Sequence, residues 1–117
     1  MLRVVLHIDE MEKWPLALSN TENLLDYCGD RGLAHAVELV ANGAAVRGLR
    51  LADAQAAQTF VRLEALSRRQ VVLAACQNAL RANQIQREEL CGFVSVVPAG
   101  VAELAEKQAQ GFAYIRP

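Results

Sequence analysis

Among the residues able to act as nucleophiles, Cys76 has the most informative position in this 117-residue chain. It directly follows the apolar run VVLAA, which is typical of a buried strand, and precedes a segment with a helical pattern. A thiol at the start of a helix faces unpaired backbone N–H groups and the positive end of the helix dipole, which favour thiolate over thiol. Such a thiolate can hold a sulfur atom as a persulfide and pass it on. The alternative is an inert packing role, which is common for buried cysteines.

The other residues with chemical potential have less favourable positions. Cys91 precedes a predicted strand, at the edge of the sheet away from Cys76, and Cys28 lies at a predicted helix end, where it could be exposed. His7 lies inside a predicted strand, which favours a hydrogen-bonded core histidine over a catalytic base. No serine has a G-x-S-x-G context and no glycine-rich phosphate loop occurs. The three cysteines and two histidines lack metal-ligand spacing, so the sequence predicts no metal site and no cofactor.

Composition indicates a globular protein, because 53% of the residues are apolar and 21% are charged. Twelve basic and thirteen acidic residues give a net charge of −1, which does not favour binding to nucleic acid or an anionic membrane. No stretch approaches the roughly 20 apolar residues that cross a bilayer. The apolar run near the N-terminus is too short for a secretion signal. We expect a single domain over residues 1–117, located in the cytoplasm.

Short apolar runs alternate with segments of helical periodicity along the chain. Strands are predicted at residues 2–8, 34–40, 71–75 and 93–97, with a short fifth strand within 112–115. Helices are predicted from Pro15 to about Cys28, over 53–67, from near Cys76, and over 101–110. Strands joined by helical crossovers predict a three-layer α/β/α fold, with a mainly parallel sheet of about five strands.

The carboxyl ends of parallel strands meet at one edge of a sheet, and ligand sites of such folds lie there. This rule brings residues 9–13, 41–45 and 98–100 to the edge that carries Cys76. Asp9 is a candidate for lining the resulting cleft, although a turn or capping role is its default. Asn42 and Gly43 most simply form a turn, whose backbone amides could bind an anion.

Several segments, in this order, resemble the DsrE/DsrF-like family and especially its small single-domain, YchN-like members. The similar segments are KW at 13–14, LSNTENLL at 18–25, ELVANG at 38–43, ACQNAL at 75–80 and PAGVAEL at 98–104, followed by Lys107, Gln108, Gly111 and YIRP at 114–117. The resemblance therefore covers essentially the whole chain. Two positions depart from the family pattern, since Ala79 stands where threonine is frequent and Asn42 where many relatives have histidine.

The resemblance implies an intracellular sulfur-relay protein that carries sulfur as a persulfide on Cys76 and passes it to an acceptor thiol. It places Asn20, Asn23 and Asn78 near the cysteine, with Asn42-Gly43 on a neighbouring loop. It also implies a homo-oligomer, a trimer or hexamer, with sulfur-donor and acceptor proteins as partners. The alternative is a non-enzymatic oligomeric binding or regulatory module that uses the same cleft for a small anionic ligand.

Overall fold

The computed structural model describes residues 1–117 and contains one sheet of five parallel strands. The strands are β1 (Leu2–Ile8), β2 (His35–Ala41), β3 (Val72–Cys76), β4 (Ser95–Val97) and β5 (Ala113–Ile115), in the spatial order β4-β3-β2-β1-β5. The central strands β1 and β2 read as nearly continuous apolar runs because both of their faces are covered. The predicted α/β fold with a parallel sheet is confirmed.

Five α-helices connect the strands. They are α1 (Trp14–Arg31), α2 (Leu51–Ala56), α3 (Phe60–Arg68), α4 (Gln77–Ala82) and α5 (Gly100–Ala109). Short 3-10 helices occupy Met11–Lys13, Gly43–Leu49 and Arg87–Glu89. Pro15 lies in the first turn of α1, where its missing N–H removes no helical hydrogen bond.

The two faces of the sheet are covered unequally. Helices α1 to α4 pack on one face and share a core cluster of 25 buried residues with it. Helix α5 alone covers the other face, where Leu104 packs on Val5, Val40 and Ala74. Side chains alternate along a strand, so the residues of β2 that face α5 occur at every second position.

Three sequence-based expectations need correction. The helix predicted over 53–67 is two helices, because the backbone reverses at Gln58 with φ of 60°, a conformation that non-glycine residues seldom adopt. The third strand ends one residue later than predicted, because Cys76 is the last residue of β3 as well as the N-cap of α4; the helix expected to begin near Cys76 is present. Cys28 is fully buried rather than exposed.

Candidate functional site

Cys76 lies where β3 ends, and its backbone is still extended, with φ of −72° and ψ of 119°. Its residue surface is 6% exposed, so the thiol is close to the surface without standing in open solvent. Cys28 and Cys91 are 0% and 2% exposed, and burial raises the pKa of the Cys91 thiol. Cys76 is therefore the most accessible of the three cysteines.

Gly100 brings the first turn of α5 against the cysteine. A Cβ atom added to Gly100 would lie 3.1 Å from the Cβ of Cys76 and 3.1 Å from the Cβ of Asn42. Those distances are shorter than ordinary carbon–carbon contacts, so glycine permits three segments to meet there. The meeting point joins the end of β3, the end of β2 and the start of α5.

Asn42 follows β2 directly and takes part in a side-chain network with His7 and Tyr114, which we call the Asn42 network. Its Oδ1 lies 2.8 Å from Nε2 of His7, and Nδ1 of the same ring lies 2.6 Å from the Tyr114 hydroxyl. The His7 and Tyr114 rings are also in contact, with centroids 5.7 Å apart. The Asn42 amide is thus hydrogen-bonded to His7 on β1, and His7 is in turn hydrogen-bonded to Tyr114 on β5.

Asp9 and Gly43 adjoin this network on the loops after β1 and β2. The Asp9 carboxylate accepts a hydrogen bond of 2.8 Å from Arg116, and its second oxygen, Oδ1, is buried without a partner. Gly43 has φ of 55°, and a Cβ there would lie 3.1 Å from the Asp9 carbonyl oxygen. The backbone N–H of Asn42 donates to the carbonyl of Ile8 at 3.0 Å, which keeps the two loops together.

The three other asparagines named from the resemblance lie on helices. Asn78 is exposed in the first turn of α4, two residues after Cys76, and accepts a hydrogen bond from Arg81 at 3.5 Å. Asn20 and Asn23 lie in the middle of α1, and neither side chain forms a hydrogen bond with a site residue. Helix α1 packs on the face of the sheet opposite α5.

Three residues of this edge were not assigned to the site from the sequence. His7 read as an isolated polar residue in a strand, Tyr114 as part of a short final strand, and Gly100 as a turn residue. The signal for His7 is its register, since it pairs with Val40 in the parallel ladder and is the last residue but one of its strand. Asn42 follows Val40 by two residues, so the alternation of side chains along the chain puts Asn42 on the same face of the sheet as Val40.

A second polar group, which we call the Glu38 cluster, lies on the same side of β2 toward its amino end. Glu38 is 4% exposed, and its Oε1 is 3.8 Å from Nζ of Lys107, which in turn is 4.0 Å from Glu103. Burial, followed by the neighbouring Glu103 carboxylate, raises the pKa of Glu38 to about 8, while Lys107 acts in the opposite direction. The raised pKa favours the protonated form of Glu38, whose Oε2 is buried without a hydrogen-bond partner.

No group of three or more His, Cys, Asp or Glu side chains is arranged to hold a metal ion. None of the helices combines the length and the apolar character that crossing a bilayer requires. The side chains that meet at the carboxyl edge are the Cys76 thiol and the Asn42 amide, at the point where Gly100 lets three segments approach closely.

In a comparison with known protein families, residues 4–117 match the model of the DsrE/DsrF-like family. The fold is similar to the solved structure of MTH1491, a protein of unknown function from Methanobacterium thermoautotrophicum, with a TM-score of 0.88. The two chains are 32% identical, and the similarity covers 100% of each. No curated protein matches this chain.

Proposed function

The chain belongs to the DsrE/DsrF-like family, and from this membership we propose that it relays sulfur as a persulfide on Cys76. The observation that carries the proposal is the meeting of Cys76, Asn42 and Gly100 at the carboxyl edge of the sheet. This arrangement brings a nucleophile and a hydrogen-bond donor together in one place. The Asn42 amide supports an anionic sulfur because hydrogen bonds to charged acceptors are the stronger ones.

Loading is a thiol–persulfide exchange. The Cys76 thiolate attacks the outer sulfur of a donor persulfide, so a new S–S bond forms while the donor's own S–S bond breaks. The donor leaves as a thiolate with the bonding electron pair, and the outer sulfur stays on Cys76 as a persulfide anion. Unloading repeats the exchange with an acceptor thiolate, which takes the outer sulfur and regenerates the Cys76 thiolate. The two steps balance without a cofactor or an external oxidant.

The low exposure of Cys76 suits a carrier. A persulfide that projects into bulk solvent reacts with any thiol that it meets, whereas Cys76 is 6% exposed and is shielded by its neighbours. Limited access therefore favours delivery to a partner that binds so as to bring its thiol to Cys76. We also propose that the sulfur donor and the sulfur acceptor are proteins of the cytoplasm that carry reactive thiols.

The proposal is tested by exposing the protein to a low-molecular-weight persulfide and mapping the product by mass spectrometry. We expect one additional sulfur atom on the peptide containing Cys76 and none on the peptides containing Cys28 or Cys91, which are buried. Cys76→Ser abolishes loading, while Cys28→Ala leaves it in place. A wild-type protein that never acquires sulfur on Cys76 contradicts the proposal.

A binding module that uses the same cleft for a small anion is the second candidate. It is favoured by the near-complete burial of Cys76, because a cysteine that is only 6% exposed as a residue can serve in packing alone. The two functions differ in one outcome. Anion binding survives Cys76→Ser, measured by calorimetry with hydrosulfide or thiosulfate as the probe, whereas sulfur loading does not.

A homo-oligomer, a trimer or hexamer, is part of the same proposal. It is supported by large apolar side chains on the surface, including Val61, Val72 and Val101, which are 73%, 43% and 73% exposed. Tyr114 and Ile115 of the edge strand β5 are also about two-fifths exposed. Native mass spectrometry at micromolar concentration measures the subunit number, and a monomer throughout contradicts this part.

A further inference from the structure

The structure assigns His7 and Tyr114 as positioning residues that aim the Asn42 amide at an anionic outer sulfur on Cys76. This inference rests on the proposed function and adds the class of adduct that the site prefers, a persulfide anion rather than a neutral disulfide. It is carried by the two hydrogen bonds of the Asn42 network, at 2.8 and 2.6 Å.

The direction of each hydrogen bond follows from the groups involved. An amide oxygen only accepts, so Nε2 of His7 carries the proton and donates to Oδ1 of Asn42. A neutral imidazole then has its lone pair on Nδ1, and that nitrogen accepts the hydrogen bond from the Tyr114 hydroxyl. Tyr114 thereby selects the tautomer of His7, and His7 selects the orientation of the amide.

The orientation of the amide decides which of its atoms faces the cysteine. With Oδ1 directed to His7, the Nδ2 amino group is directed toward α5, where it lies 3.6 Å from the position of a Cβ on Gly100. The Cβ of Cys76 lies 3.1 Å from that same position. A rotation of the amide by half a turn would replace the donor with an oxygen, which repels an anion.

A free asparagine side chain would sample both orientations at this position, because Asn42 is only half-buried and water can serve either end. Holding one orientation costs side-chain entropy, and the two aromatic partners offset that cost before sulfur arrives. The network therefore acts on the loaded protein through Asn42. It is not needed to hold β1, β2 and β5 together, since those strands are paired along their backbones.

The test measures the equilibrium constant for loading Cys76 from a fixed ratio of low-molecular-weight persulfide to thiol. Asn42→Asp retains the hydrogen bond from His7 but replaces the amide donor with an oxygen, and we expect the loading constant to fall about tenfold or more. His7→Leu is expected to lower it several-fold by freeing the amide, and His7→Gln, whose amide can donate in place of Nε2, to recover part of the loss. Tyr114→Phe removes the hydroxyl that selects the tautomer of His7, and we expect it to lower the loading constant about twofold.

A neutral adduct of similar size supplies the matched control. Methyl methanethiosulfonate converts Cys76 to a methyl disulfide, which has no anionic outer atom, so its exchange equilibrium with the same thiol is expected to be unchanged in all four variants. A merely structural role would change both adducts together. His7→Leu is also expected to have no further effect in an Asn42→Ala background, because His7 acts through the amide.

The outcomes separate the inference from the function on which it rests. Failure of the wild-type protein to load sulfur overturns the proposed function. Normal loading of the wild type together with equal loading constants in Asn42→Asp and His7→Leu overturns the positioning inference alone. If thermal unfolding shows that His7→Leu folds poorly, His7→Gln and Tyr114→Phe test the positioning inference in its place. The persulfide loading equilibrium and the methyl disulfide exchange equilibrium are then measured for these two variants.

Discussion

The two polar side chains that β2 directs toward α5 are stabilised in opposite ways. Asn42, at the carboxyl end, has a neutral amide whose oxygen is paired with His7, whereas Glu38, four residues earlier, has a carboxyl group buried beside another carboxylate. Val40 separates them and packs under Leu104. The Asn42 network positions atoms, while the Glu38 cluster makes stability depend on protonation.

This difference indicates where to expect sensitivity to geometry and where to expect sensitivity to pH. Neutral hydrogen bonds lose their effect when atoms shift by a few tenths of an ångström. A buried carboxyl group instead tolerates small shifts but responds to its proton, because its charged form is poorly solvated. Substitutions at the two ends of β2 should therefore produce distinct experimental signatures.

The largest expected effect is the pH dependence that Glu38 gives to folding. The pKa of Glu38 is about 8 in the folded protein against 4.5 as the reference value, so the folded state retains a proton that the unfolded state has released between those limits. The stabilisation is fully present below pH 4.5 and is lost as pH rises through 8. At about 1.4 kcal/mol per pKa unit, the loss amounts to several kcal/mol in the free energy of unfolding.

Glu38→Gln tests this because an amide of similar size stays neutral at every pH. We expect urea unfolding at pH 5, 6.5 and 8 to show a decline in stability for the wild type and little decline for the variant. Glu106→Gln, an exposed change on the same helix as Glu103, is the matched control and should retain the wild-type slope. Parallel slopes for the wild type and Glu38→Gln would show that Glu38 does not titrate in this range.

The next effect is geometric and lies at the other end of β2. In Gly100→Ala the new methyl group would meet the Cβ atoms of Cys76 and Asn42 at 3.1 Å, and neither can rotate away because both are fixed to the backbone. We expect a loss of about 1 kcal/mol in stability, after the better helix propensity of alanine offsets part of the crowding. Persulfide loading of Cys76 should also fall, and by more than the small increase in the fraction of unfolded protein would cause.

Gly29→Ala serves as the control for Gly100→Ala. No atom lies within 4 Å of a Cβ at Gly29, which is in the last turns of α1, so the same substitution should raise stability by roughly 0.5–1 kcal/mol. Chemical denaturation measures both variants, and intact-mass analysis measures loading. Full loading in Gly100→Ala at unchanged stability would show that the close approach of α5 at Gly100 is not needed for loading.

The fold followed from the sequence more readily than these two polar groups did. Continuous apolar runs located all five strands to within a few residues, since a strand covered on both faces needs no polar alternation. The division between α2 and α3 was not predictable, because the reversal at Gln58 has no glycine or proline to mark it. The end of the third strand was predicted one residue too early, at Ala75 instead of Cys76, while the start of the helix that follows was correct to within one residue.

The polar partners depend on contacts between distant parts of the chain. His7 and Tyr114 are 107 residues apart and meet only because β5 pairs with β1, which the pattern of a three-residue strand does not specify. Glu38 was assigned to the second predicted strand and to the ELVANG segment, with no role of its own. Its burial depends on where α5 crosses the sheet, and crossing positions follow from packing rather than from periodicity.

The smallest expected effect concerns the one cation that opposes the shift at Glu38. Nζ of Lys107 lies 3.8 Å from the Glu38 carboxyl and lowers its pKa, against the larger influence of burial and Glu103. In Lys107→Met the apolar stem is retained while the charge is lost, so the pKa of Glu38 should rise further. The decline in stability then still begins near pH 4.5 but continues to higher pH than in the wild type, and unfolding at pH 9 measures the change. We expect about 0.5 kcal/mol, since the lysine is partly exposed. If the decline in stability instead ended at lower pH than in the wild type, the loss of Lys107 would act mainly through Glu103, with which Lys107 is also paired.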